Sequence, residues 1–67
     1  SGTQISLIKV KGIGKGTVEN LETQGINTIV DLLAANPDTL SANVNGVSSK
    51  TILEWQISAR KLLKVKI

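Results

Sequence analysis

The chain has 67 residues, 40% hydrophobic and 19% charged, with eight lysines and arginines against five acids and a formal net charge of +3. It is read as one small domain over 1–67, a fragment of a larger protein with Ser1-Gly2 as a tag remnant. Cysteine and histidine are absent, which excludes disulfides, thiolate metal sites and imidazole-based acid–base or nucleophile systems.

Residues 4–10, QISLIKV, fit either a short strand or a short helix with Ile5, Ile8 and Leu7 turned inward, which Thr3 can cap. Glycines at 12, 14 and 16 in KGIGKG stop any long regular element. A helix is expected over 16–24, with Val18, Leu21 and the stem of Glu22 on one face, and Gly25 stands where a left-handed residue ends a helix. The next helix, 26–35, takes Asn27 as its N-cap and buries Ile29, Val30, Leu32 and Leu33. Asn36 before Pro37 opens a short helix over 37–43, anchored by Leu40. After the tight connection VNGVS, Ser48 caps the longest helix, 49–63, where Ile52, Trp55, Ala59, Leu62 and Leu63 recur at steps of three and four. The fold class is all-α, with five short helices joined by tight turns.

Two of the turns are related. VKGIGKGTVENL (10–21) aligns with VNGVSSKTILEW (44–55) at an offset of 34, pairing Val10 with Val44, Gly12 with Gly46, Ile13 with Val47, Thr17 with Thr51, Val18 with Ile52 and Leu21 with Trp55. One internal duplication indicates a repeated supersecondary unit rather than a solenoid. In each unit the apolar residue of the turn (Ile13, Val47) plugs the space between helices, and the glycine before it permits a backbone that other residues avoid. Each turn feeds a helix N-terminus, whose first N–H groups lack intrahelical acceptors and, with the dipole, attract anions. Gly14 removes the side chain that would hold a phosphate away, and Lys15 adds a charge at the rim.

The charges agree with this. Lys9, Lys11 and Lys15 crowd the first turn, and Arg60, Lys61, Lys64 and Lys66 the C-terminus, with Glu19, Glu22, Asp31 and Asp38 between them. The C-terminal run also suits a solvated helix face with dipole compensation. Trp55, the single aromatic residue, aligns with Leu21 and is read as core, which leaves no base-stacking platform. Asp31 with Asp38, or Glu19 with Glu22, read as solvated helix positions rather than a catalytic pair, so no enzymatic activity, metal or cofactor is expected. No apolar run approaches the ~20 residues that span a bilayer, so no membrane partner is expected and the location is read as cytoplasm or nucleoid.

These residues resemble the tandem helix-hairpin-helix domain. The hairpin signature, hydrophobic–x–Gly–hydrophobic–Gly before a helix, stands as Val10-Lys11-Gly12-Ile13-Gly14. The connector carries Gly25, Ile26, Thr28, Asp31, Leu32, Pro37 and Leu40 at the family's spacing. The closing ISARKLL (57–63) is similar to the last helix in N-terminal domains of archaeal recombinases. Related repeats occur in a transcription elongation factor and in topoisomerases. The resemblance covers residues 4–64 and implies a SAM-like arrangement of two units about a pseudo-two-fold with a connecting helix. It also implies binding to duplex or branched DNA without sequence preference, in repair or recombination, with both hairpins on phosphates across the minor groove.

Carried onto this chain, the DNA-binding residues are Lys11, Gly12, Ile13, Gly14, Lys15 and Gly16 in the first hairpin, and Asn45, Gly46, Val47, Ser48, Ser49 and Lys50 in the second. The donors are the N–H groups of Gly12, Gly14, Lys15, Gly16, Gly46, Ser48, Ser49 and Lys50, with the Ser48 and Ser49 hydroxyls in addition. Three features depart from the pattern: Ser48 replaces a glycine, Leu40 precedes Gly46 by one residue more than Leu7 precedes Gly12, and Val18 stands where a small residue is usual. The alternative implied by the same family is a protein–protein interaction module, docking a partner or neighbouring domain through Lys64–Ile67 and exposed apolar residues.

Overall fold

A computed structural model describes residues 5–65 of the chain. The readings placed on Ser1-Gly2, Thr3 and Lys66 therefore lie outside the described residues. The described residues form a single 3-10 turn, Leu7–Lys9, and four α-helices: α1 (Lys15–Glu22), α2 (Ile29–Ala34), α3 (Pro37–Asn43) and α4 (Ser49–Val65). They contain no strand, only one antiparallel bridge, Ser6 to Thr28.

The first segment corrects the expectation of a fifth helix. Ile5 O accepts from Ile29 N–H at 3.2 Å, which ties it in extended form to the start of α2. Ser6 Oγ then accepts from Ile8 N–H at 3.4 Å and opens the 3-10 turn. Residues three apart eclipse in this geometry, so Leu7 and Val10 go inward together and Ile8 is left 48% exposed. Ile8 is thus not the buried residue the helical pattern implied.

α1 ends as its sequence requires. Gly25 has φ +81°, its N–H donates to Glu22 O at 3.0 Å, and Ile26 N–H reaches back to Leu21 O at 3.0 Å. This is the Schellman arrangement, and Leu21 and Ile26 are both buried. α2 starts one residue later than an Asn27 cap would place it, because Thr28 caps it. Thr28 Oγ1 accepts from Asp31 N–H at 3.2 Å, and Asp31 Oδ2 accepts from the N–H groups of Asn27 (2.9 Å) and Thr28 (3.2 Å), completing a capping box. Asp31 is therefore a half-buried capping residue rather than a solvated one. The shift leaves Ile29 and Leu32 fully buried, Leu33 half-buried and Val30 exposed.

α3 begins with Asn36 Oδ1 accepting from Asp38 and Thr39 N–H, and Pro37 occupies the first helical position. α4 packs on α2 and α3, and the 3-10 turn lies against α1. The core gathers Leu7, Val10, Ile13, Leu21, Ile29, Leu32, Leu40, Val44, Ile52, Trp55 and Ala59, with Val18, Val47, Leu62 and Leu63 packed against it. Each fully buried aliphatic contributes roughly 1.5–3 kcal/mol. Gln56, also buried, donates from Nε2 to Leu32 O and Ala35 O, both at 3.0 Å, and so satisfies carbonyls at the C-terminal end of α2.

Candidate nucleic-acid interface

The two repeated turns run in the same register. Val10 caps the 3-10 turn and Val44 caps α3, both buried. Two residues on, Gly12 and Gly46 take φ +94° and +79°, and they share with Gly25 the only positive values among the described residues. Ile13 and Val47 follow, then Gly14 and Ser48, and helices α1 and α4 begin at Lys15 and Ser49. The additional residue between Leu40 and Gly46 is absorbed within α3, so the second turn is not lengthened.

The predicted site residues divide into two groups. Lys11, Gly12, Gly14, Lys15 and Gly16 are exposed, as are Asn45, Gly46, Ser48 and Lys50; Ser49 and Val47 are half-buried. Ile13 faces the core at 5% exposure, and its N–H closes the first turn by donating to Val10 O at 3.1 Å. Its role is to hold the turn in shape, and its own donor is already used.

The amides at the two helix starts are used differently. At α1 the first internal bond runs from Val18 N–H to Gly14 O at 2.9 Å, and Gly14 has no side chain to cap with. The N–H groups of Lys15, Gly16 and Thr17 thus find no acceptor among the described residues. At α4 the Ser48 Oγ accepts from Thr51 N–H at 3.2 Å and lies 3.1 Å from Thr51 Oγ1. One donor and much of the Ser48 hydroxyl are therefore engaged within the chain, leaving the Ser49 and Lys50 amides.

Space reinforces the difference. A Cβ built at Gly14 or Gly16 meets nothing within 4 Å, and neither residue has a positive φ. Packing and backbone conformation therefore do not require glycine there, and Gly16 weakens the helix by roughly 0.5–1 kcal/mol relative to alanine. What the two glycines do provide is bare backbone over three donors, flanked by Lys11 and Lys15. Gly12 is constrained twice: by its φ and by Trp55, whose Nε1 would lie 3.1 Å from an added Cβ. Residues 5–61 match the family described as SAM-like helix-hairpin-helix tandem. The chain belongs to this family. No curated protein and no solved structure matches it significantly.

In this helix-hairpin-helix tandem, Trp55 is the residue whose position the repeat alone does not disclose: aligned with Leu21 of the first unit, it sits in the second and backs the first hairpin. Sequence pattern does place Ser48 as a cap, and the loss of the Thr51 amide follows from that. A cleft of about 240 Å³ lined by Gln24, Ile26, Asn36, Thr39 and Asn43, among others, contains no residue of either hairpin and no titratable group. Among the described residues no helix is long and apolar enough to cross a membrane.

Proposed function

We propose that this chain is a non-catalytic, intracellular DNA-binding module that holds backbone phosphates through its hairpins without reading sequence. The observation that carries the proposal is the row of amides at Lys15, Gly16 and Thr17 beneath two glycines that the fold does not need. Backbone N–H groups at a helix start favour a phosphate oxygen by geometry and by dipole. Lys11 and Lys15 add attraction that fixes no base identity. Domains of this family commonly bind DNA non-specifically, which supports the same reading. The first hairpin is the principal contact and the second the lesser one. Both follow a duplex across its minor groove, in a parent protein that processes or transcribes DNA, and the likeness of residues 57–63 to recombinase domains makes recombination or repair the favoured setting.

Titration of the labelled chain with a short duplex tests this. Amide shifts are expected at 12–16 first and at 46–50 second. With roughly four phosphates engaged, the logarithm of affinity falls with the logarithm of salt at a slope of about −0.9 per phosphate. Lys15→Glu reduces that slope by about one. Shifts confined to other residues, or none at low salt, would overturn the proposal.

A further inference from the structure

α4 presents a second surface that, apart from Lys50 at its start, the hairpins do not use. Its buried stripe is Ile52, Trp55, Gln56 and Ala59. On the opposite side Leu53 and Ile57 lie one turn apart at 49% and 51% exposure. Lys50 precedes them on the same stripe, and Arg60 and Lys64 follow, all exposed, with Lys61 beside them. Glu54, at the edge, is the helix's only acid. An aliphatic pair is thus bracketed by cations at both ends over about 21 Å, the rise from Lys50 to Lys64.

We infer that this face of α4 docks an amphipathic helix of a protein partner that carries an aliphatic pair four residues apart between acidic residues. Charge and apolarity favour that occupant together. A phosphate strand would satisfy Arg60 and Lys64 but would leave Leu53 and Ile57, at the centre of the stripe, against a polar backbone. A partner helix covers both, with aliphatic side chains in the middle and carboxylates at the ends, in the helix-on-helix mode of peptide recognition. The surface does not depend on the hairpins binding DNA.

The probe is a synthetic eighteen-residue alanine-based helix with two leucines four apart bracketed by glutamates, compared with the same peptide bearing lysines for glutamates. Titrated into the labelled 67-residue chain, the acidic peptide is expected to shift Leu53, Ile57, Arg60 and Lys64 and the basic one to shift nothing. Leu53→Ser with Ile57→Ser weakens the acidic peptide at least tenfold while the amide spectrum stays native and duplex affinity is unchanged. Arg60→Glu with Lys64→Glu turns the preference toward the basic peptide. Absence of binding at millimolar peptide, shifts centred on the hairpins, or an unchanged affinity in the serine variant overturns the inference. So does a loss of duplex affinity in Arg60→Glu/Lys64→Glu as large as that of Lys15→Glu, which would make the face part of a nucleic-acid footprint.

Discussion

The first and second hairpins share a register, a left-handed glycine and an inward apolar residue, yet they expose different chemistry. The first leaves three helix-start amides without a partner among the described residues, under Gly14 and Gly16. The second gives one of its amides to Ser48. The two units therefore keep what the turn needs and vary what the solvent sees. Capping a helix and binding an anion compete for the same N–H groups: a cap stabilises the helix typically by about 1 kcal/mol, and an amide so used is withdrawn from a ligand. On the proposed reading α1, eight residues long and uncapped by any side chain, offers the stronger phosphate contact, whereas α4, seventeen residues and capped by Ser48, offers the weaker one.

The hairpins also differ in what lies beneath them. Trp55 supports Gly12, whereas a Cβ at Gly46 meets nothing within 4 Å. Trp55→Ala removes the largest core side chain and the floor of the first hairpin together. A cost of about 3–5 kcal/mol is expected, enough to unfold a domain of this size. Chemical denaturation measures it, and a loss under 1 kcal/mol would mean that the first hairpin stands without this support.

Gly12→Ala and Gly46→Ala sharpen the contrast next. Both force a left-handed alanine, at about 1–2 kcal/mol. Gly12→Ala adds crowding against Trp55 and should exceed its counterpart by about 1–3 kcal/mol. Trp55 is the single tryptophan, so its fluorescence should change in Gly12→Ala and not in Gly46→Ala. Equal stabilities and equal spectra would break the asymmetry.

Much of this was legible from residues whose partners are close in the chain. Asn36-Pro37, Gly25 and Ser48 each fix a helix end through groups within five residues, and the structure places all three as read. What escaped depends on distant partners. The first segment settles as a 3-10 turn because Ile5 bonds to Ile29, far along the chain. Thr28 outcompetes Asn27 as a cap because Asp31 can answer it from one turn on, a pattern present in the sequence as Thr-x-x-Asp. Gln56 falls on the apolar stripe of α4, four after Ile52 and three before Ala59, a placement that marks a buried amide in need of partners; which carbonyls it meets is set only by packing on α2. At the candidate site the turn residues could be assigned from the repeat, whereas the inward use of the Ile13 amide could not.

Gly16→Leu separates binding from folding. Its added side chain enters open space, and helix propensity improves by roughly 0.5–1 kcal/mol. Duplex affinity should nevertheless fall about tenfold, the loss of one amide–phosphate bond worth ~1.5 kcal/mol. A stabilised variant that binds DNA as the parent does would remove Gly16 from the interface.

The smallest effects come from exchanging the two N-caps, and they bear most directly on the competition between capping and binding. Gly14→Ser offers α1 a hydroxyl acceptor for the Thr17 amide, and Ser48→Gly takes the equivalent acceptor from the Thr51 amide. Because glycine is only slightly worse than serine as a cap, each exchange shifts stability by a few tenths of a kcal/mol, upward in the first and downward in the second. Binding should move the opposite way. Gly14→Ser weakens duplex affinity a few-fold, and Ser48→Gly strengthens it, with amide shifts at 46–50 growing to match those at 12–16. If each N–H group is either a cap's partner or a phosphate's, stability and affinity must change with opposite sign in both variants; a variant that gains or loses both together would show that the caps act through hairpin shape instead.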